Sequence, residues 1–209
     1  MGLIHTPRVL FSLVKGLVKR QSSPERNVGL TDAHIYTARA GLFDVDYLGH
    51  LNNAAYLSHA ELARWEMTSH NGLLSAMMKN NIAFLVAGSA VRYRREIRPV
   101  FCRFQIETTV AGLDDNNNIW IMQNFRYPTQ GQDRILAQVL IRGMAVQGRT
   151  VINPRHLFVD LCEMDETVVD KLIMPNVSDD AIESLLEKYA ELEDQFRHVA
   201  ALDDEKRGA

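Results

Sequence analysis

The chain has 209 residues, 46% of them hydrophobic and 23% charged, with a formal net charge of −3. Such a composition suits one globular domain with extensions and excludes wholesale disorder and a polybasic nucleic-acid binder. Two cysteines, Cys102 and Cys162, with no CxxC pair, exclude a disulfide scaffold and give no zinc-ribbon spacing. The charge is uneven: residues 1–159 hold 18 Lys/Arg against 11 Asp/Glu, and residues 160–209 hold 5 against 15.

No window reaches the roughly 18 consecutive apolar residues of a membrane-spanning helix. Residues 1–24 carry Arg8, Lys15, Lys19 and Arg20 and no acid before Glu25. Leu10, Phe11, Leu13, Val14, Leu17 and Val18 lie between the cations at near-helical spacing, the pattern of an amphipathic presequence or a membrane-surface helix. The opening Met1-Gly2-Leu3-Ile4-His5-Thr6 also fits the loose myristoylation pattern. A basic arm over 1–29 is expected, directing the chain to a mitochondrion or a membrane, or else leaving it cytoplasmic; Ser22-Ser23-Pro24 reads as a linker.

Residues 33–43 are rich in strand formers. The polar turn Asp44 to Asn53 follows, and Asn52 and Asn53 are natural helix caps. Tyr56, Ala60, Ala63 and Met67 recur at three- and four-residue steps, predicting a helix from Ala54 to about His70 that stops at Asn71-Gly72. A shorter helix is expected over 73–80. The period then falls to two: strands are predicted over 82–95, 101–110, 119–127 and 135–146, the last nearly all apolar and expected at the centre of a sheet. In the acidic tail, Ser178, Asp179 and Asp180 suit a helix start. Ile182, Leu185, Leu186, Tyr189, Leu192 and Phe196 form a stripe. Strand, long helix, then strands joined by tight turns make an α+β protein with an antiparallel sheet that covers the helix.

The residues with most chemical potential are Asp44-x-Asp46-x-x-Gly49-His50-x-Asn52-Asn53-x-x-Tyr56, just before the long helix. Free N–H groups at a helix start polarise a carbonyl, and a nearby carboxylate serves as nucleophile or general base. Equally, the aspartates can stabilise a turn and the asparagines cap. There is no G-x-S-x-G, no Walker loop and no convincing metal spacing among His50, His59 and His70.

The stretch from Phe43 to Leu57, continued by His59-Ala60-Glu61-Leu62-Ala63-Arg64-Trp65-Glu66 and Val91-Arg92-Tyr93-Arg94-Arg95, resembles hotdog-fold acyl-CoA thioesterases of the 4-hydroxybenzoyl-CoA thioesterase type. The resemblance implies a hotdog domain over 30–155, a bent antiparallel sheet around one long helix, followed by an acidic helical extension over 156–209. It implies a homodimer, or a dimer of dimers, acting on acyl-CoA without metal or other cofactor. Asp46 falls at the catalytic carboxylate and Asn53 at the amide that polarises the thioester carbonyl. Gly49 admits the acyl group, and His50 contacts the thioester or shapes the pocket. Asn52 and Tyr56 are expected to bind substrate, and Arg92 and Arg94, alternating on a strand, to meet the phosphates of CoA. The rival expectation is a non-catalytic acyl- or lipid-binding protein of the same fold, held on a membrane by the arm.

Overall fold

The computed structural model describes residues 2–128, 135–173, 184 and 186–192. Two compact units are distinguished, Met1–Ile173 and Met174–Ala209. In the second, residues 186–192 are helical; the expected helix start at Ser178–Asp180 and the stripe residues Ile182, Leu185 and Phe196 lie outside the described residues.

In the first unit the chain order is α1 (Gly2–Ser22), β1 (His34–Arg39), α2 (Asn53–Asn71), α3 (Leu73–Lys79), β2 (Ile82–Tyr93), β3 (Arg103–Leu113), β4 (Ile119–Arg126), β5 (Ala137–Gln147) and β6 (Thr150–Ile152). A π-helical turn (His156–Leu161) and α4 (Glu166–Asp170) follow. The antiparallel sheet has the order β1-β3-β4-β5-β2, with β6 also on β5. Register shifts after Val86 in β2 and after Val110 in β3 break the regular pairing, as β-bulges do where a sheet bends. The α+β hotdog architecture is thus present, a curled sheet about one long helix.

The expected alternation explains the packing. In β3, Phe104, Ile106, Thr108 and Val110 are buried, and β5, the most apolar strand, lies between β4 and β2. Against these strands α2 sets Ala55, Ala60 and Ala63, small residues that let the helix lie close, together with the ring of Tyr56. Gln123, fully buried in β4, ties the two layers: its amide donates to the Ala60 carbonyl (2.9 Å) and to Thr108 Oγ1 (3.0 Å). Asn71-Gly72 ends α2 as predicted. Gly72 has a left-handed φ of 87°, and the Asn71 side chain accepts from Leu73 N and donates to Val28 O.

The N-terminal segment is helical, as its spacing predicts, and α1 is packed along α2, polar side inward. His5, Arg8, Ser12, Lys15, Gly16 and Lys19 share that side by helical spacing. At Gly16 the helices nearly touch; an added Cβ would sit 2.3 Å from the Glu66 carbonyl oxygen. Lys15 and Lys19 reach the carboxylate of Glu66 at 3.0 and 2.6 Å, and that side chain has 0% exposure. Leu10, Phe11, Val14, Leu17 and Val18 are left exposed on the outside. Periodicity locates two faces of a helix but does not say which faces inward; buried carboxylates on neighbouring elements decide it here.

His34 lies beside this ion pair, edge-on to His70 at 5.7 Å. Burial, reinforced by Lys19, His70 and Lys15, lowers its pKa from 6.5 to about 3. The unfolded chain therefore takes up the His34 proton as pH falls below 6.5, while the folded chain does so only near 3. Stability is consequently lost through that window. Chemical denaturation of His34→Gln at pH 7 and pH 4.5 is expected to show a smaller loss on acidification than wild type; an identical loss would remove His34 from the account.

Candidate active site

The residues between β1 and α2 form a tight hairpin. Asn52 N donates to Asp44 O (2.8 Å), Val45 pairs with Leu51, Asp46 N donates to His50 O (2.9 Å), and Gly49 N returns to Asp46 O (3.1 Å). Gly49 has a φ of 76°, which a residue with a side chain rarely adopts, so the turn itself requires glycine. Leu51 N donates to Ile97 O, fixing the hairpin to the segment after β2.

Asp46 sits near the tip with 34% of its side chain exposed. Its Oδ1 accepts from the N–H groups of Leu48 (2.9 Å) and His50 (3.3 Å). Among the described residues Oδ2 has no hydrogen-bond partner. The His50 ring lies between two carboxylates, 3.9 Å from Asp46 Oδ1 and 3.5 Å from Glu96 Oε2. The other leg of the hairpin runs into α2. Asn52 is the cap, its side chain accepting from Ala55 N at 2.8 Å. Asn53 is the first helical residue; it is exposed, and its carbonyl accepts from Tyr93 OH (3.2 Å). The N–H groups of Asn53 and Ala54 have no acceptor among the described residues, as the first turn of a helix leaves them. One short loop thus carries a carboxylate with a free oxygen and a helix start with free donors.

Asp44 anchors the base of that hairpin. Its side chain, 8% exposed, accepts from Arg8 (2.8 and 3.3 Å) and from Gly41 N (3.0 Å), and stands 3.1 Å from His59 Nε2. Burial alone would raise its pKa. The hydrogen bonds of His59, Arg8 and Gly41 outweigh this and hold the carboxyl well below the usual carboxylate range. Burial likewise lowers the His59 pKa, against the opposing pull of Asp44.

A groove of about 1270 Å³ opens beside α2. Its polar lining includes His5, Arg8, Asp44, Asn52, Glu61 and Arg64, and its apolar lining comes from α3, β2 and the sheet, with Leu73, Met77, Ile82 and Phe84 among them. Ligand pockets commonly measure roughly 300–1,000 Å³, so this space is ample for a long or bulky apolar group. The expected site residues divide accordingly. Asp46, Gly49, His50, Asn52 and Asn53 share the hairpin and the helix start. Tyr56 is buried between the rings of Tyr93 (5.1 Å) and Phe125 (5.2 Å). Arg92 and Arg94 are both exposed; β2 ends at Tyr93, and Arg94 N donates to Leu136 O, one step beyond the Tyr93–Ala137 pair. Arg8 and the buried His59 were not singled out from the sequence: nothing in the linear spacing joins Arg8 to an aspartate 36 positions away.

Fold and family now agree. A family model, the Thioesterase-like superfamily, matches residues 41–172, and the chain belongs to that family. Among curated proteins it is similar to Protein THEM6 of Xenopus laevis, 35% identical over 86 residues, which are 41% of each chain. Protein THEM6 of Danio rerio is 27% identical over 158 residues, 76% of this chain and 70% of that one. The match to the frog protein thus spans less than half of its length. The long-chain acyl-CoA thioesterase FadM of Escherichia coli is 38% identical over 53 residues, 25% of this chain and 40% of FadM. Among solved structures, the probable thioesterase YbaW of Escherichia coli superposes with a TM-score of 0.55 at 19% identity, covering 68% of this chain and 99% of that one. That of SAV2348 from Staphylococcus aureus, a complex with CoA, gives 0.53 at 11%, covering 72% and 90%.

Proposed function

We propose that the chain hydrolyses a fatty or aromatic acyl-CoA to the free acid and CoA, and does so as a homodimer or a dimer of dimers. The observation that carries this reading is the Oδ2 of Asp46, without a partner among the described residues, on the same short loop as the N–H groups of Asn53 and Ala54, likewise without one among them. In this mechanism the donors hold the thioester oxygen as it becomes an oxyanion. Asp46 either takes the proton of an attacking water or attacks the carbonyl itself, giving a mixed anhydride that water then opens. The C–S bond breaks and the sulfur leaves as CoA thiolate, which takes up a proton. Gly49 keeps the turn tight, His50 flanks the carboxylate and Asn52 holds the helix start. Tyr56, in the first turns of α2, is assigned to substrate binding. Arg92 and Arg94, exposed at the end of β2, offer forked donors for the phosphates. β2 is an edge strand with Leu85 and Val86 half exposed, which supports pairing with a second copy.

The test is free-thiol release from short, long and aromatic acyl-CoAs, with light scattering for the oligomer. Turnover of any member establishes the activity and its substrate class; silence across the panel overturns the reading.

One observation favours the rival, a non-catalytic lipid-binding protein on a membrane: the exposed stripe Leu10, Phe11, Val14, Leu17 and Val18 on α1. Among the described residues no helix is long and apolar enough to cross a membrane, so attachment would be along the surface. In that case the protein floats with phosphatidylcholine–phosphatidylserine vesicles, Phe11→Ser/Val14→Ser reduces flotation severalfold, and no acyl-CoA is hydrolysed. Flotation unchanged by the double substitution sinks this use of α1.

A further inference from the structure

We infer that Arg8 is a positioning residue of the active site, and that α1 is therefore part of the catalytic unit although it lies outside the matched family region of residues 41–172. This rests on the thioesterase reading for its kinetic arm only. Asp44 is a buried carboxylate whose ordinary hydration is lost, and a buried charge persists only when paired and hydrogen-bonded. Its partners among the described residues are Gly41 N–H, the His59 ring and the Arg8 guanidinium. Gly41 brings no charge, and burial disfavours the charged form of the His59 ring. Arg8 carries the permanent positive charge on Asp44, and it binds with two nitrogens, one to each carboxylate oxygen.

The position of Asp44 is passed on directly. Its carbonyl accepts from Asn52 N, the cap of α2, and two residues further on Asp46 pairs with His50. The two legs of this hairpin set where the Asp46 carboxylate lies relative to the first N–H groups of α2. Without Arg8, the buried Asp44 carboxylate keeps only the His59 ring and one amide, and the base of the hairpin must shift to hydrate it. A displacement of about 1 Å in a reacting group costs on the order of a hundredfold in rate.

The experiment compares full-length wild type, Arg8→Met and Arg8→Lys. The first readout is steady-state kinetics on the best acyl-CoA of the panel. The second is hydrogen exchange at the Leu48 and His50 amides, which clasp Asp46. Arg8→Met is expected to lower kcat about tenfold to a hundredfold with KM little changed, and to quicken exchange at both amides while those of α2 beyond Ala60 keep their protection. Arg8→Lys retains the charge without the fork and is expected to fall between the two. Unchanged kcat and exchange in Arg8→Met overturn the inference, as does a raised KM at constant kcat, which would make Arg8 a substrate contact instead. If Arg8→Met does not fold, Arg8→Lys decides: wild-type values in both readouts overturn it. If wild type turns over no acyl-CoA, the proposed function fails alone, and exchange at Leu48 and His50 still judges Arg8.

Discussion

An Asp46→Asn protein is expected to fold like wild type and to lose roughly 10²–10⁴-fold in kcat on acyl-CoA, the range associated with removing a proton-transfer group. The substitution is nearly isosteric. Oδ1 remains an acceptor for the Leu48 and His50 N–H groups, so the hairpin keeps its clasp. What disappears is the basicity of Oδ2, the oxygen without a partner among the described residues. The side chain is one-third exposed, so neither a cavity nor a stranded buried charge is created, and the melting temperature should move by no more than a degree or two. Thiol release and a thermal melt on one preparation check both halves. Activity within threefold of wild type would remove Asp46 from the chemistry. The natural comparison is Asp44→Asn, which acts through the fold: it strips Arg8 of its carboxylate in a buried place, and its main effect is expected on the melt.

The largest effect on stability is expected from Lys15→Met with Lys19→Met. Both lysines contact one fully buried carboxylate, Glu66, and the nearby His34 is held neutral by its own burial. Removing both cations leaves an uncompensated charge inside the protein, which costs about 3–5 kcal/mol where such pairs have been broken. For a chain of this size that corresponds to a fall of roughly 6–20 °C in melting temperature. Adding Glu66→Gln removes the charge that was stranded, and should restore most of the loss. That recovery separates burial of charge from loss of lysine packing. A triple variant no more stable than the double would show that the methylene stems of the lysines mattered and the ion pairs did not.

These two cases mark what could be read from the sequence. Periodicity was sufficient for the sheet and α2 because each of their faces has an unambiguous destination, core or solvent: Phe104, Ile106, Thr108 and Val110 alternate in β3 and are buried. Asn71-Gly72 was legible because the corner needs a left-handed residue. The acid turn was legible because its residues are contiguous. α1 is expected as a basic amphipathic arm, and its spacing leaves open which side packs; its cations face inward. What settles its orientation is Glu66 and Asp44, acids distant in sequence whose burial cannot be inferred from their neighbours in the chain. The Arg8–Asp44–His59 cluster joins three segments and leaves no trace in the spacing of any one of them.

The close crossing at Gly16 has a mechanical consequence. Because no side chain fits between the helices there, α1 cannot roll on α2, and the crossing acts as a keyway that sets the angular phase of the helix. Arg8 stands seven residues before Lys15, close to two full turns, so a single rotational setting presents Arg8 to Asp44 and Lys15 to Glu66 together. An insertion of one residue near Leu13 would turn the leading segment by about 100° and swing Arg8 off the hairpin base while both lysines stay engaged. An insertion of four residues would bring it back into phase but displaced by about 6 Å along the axis. Helix α1 thus works as a shaft with two teeth, and its length between them is under the same constraint as the loop it holds.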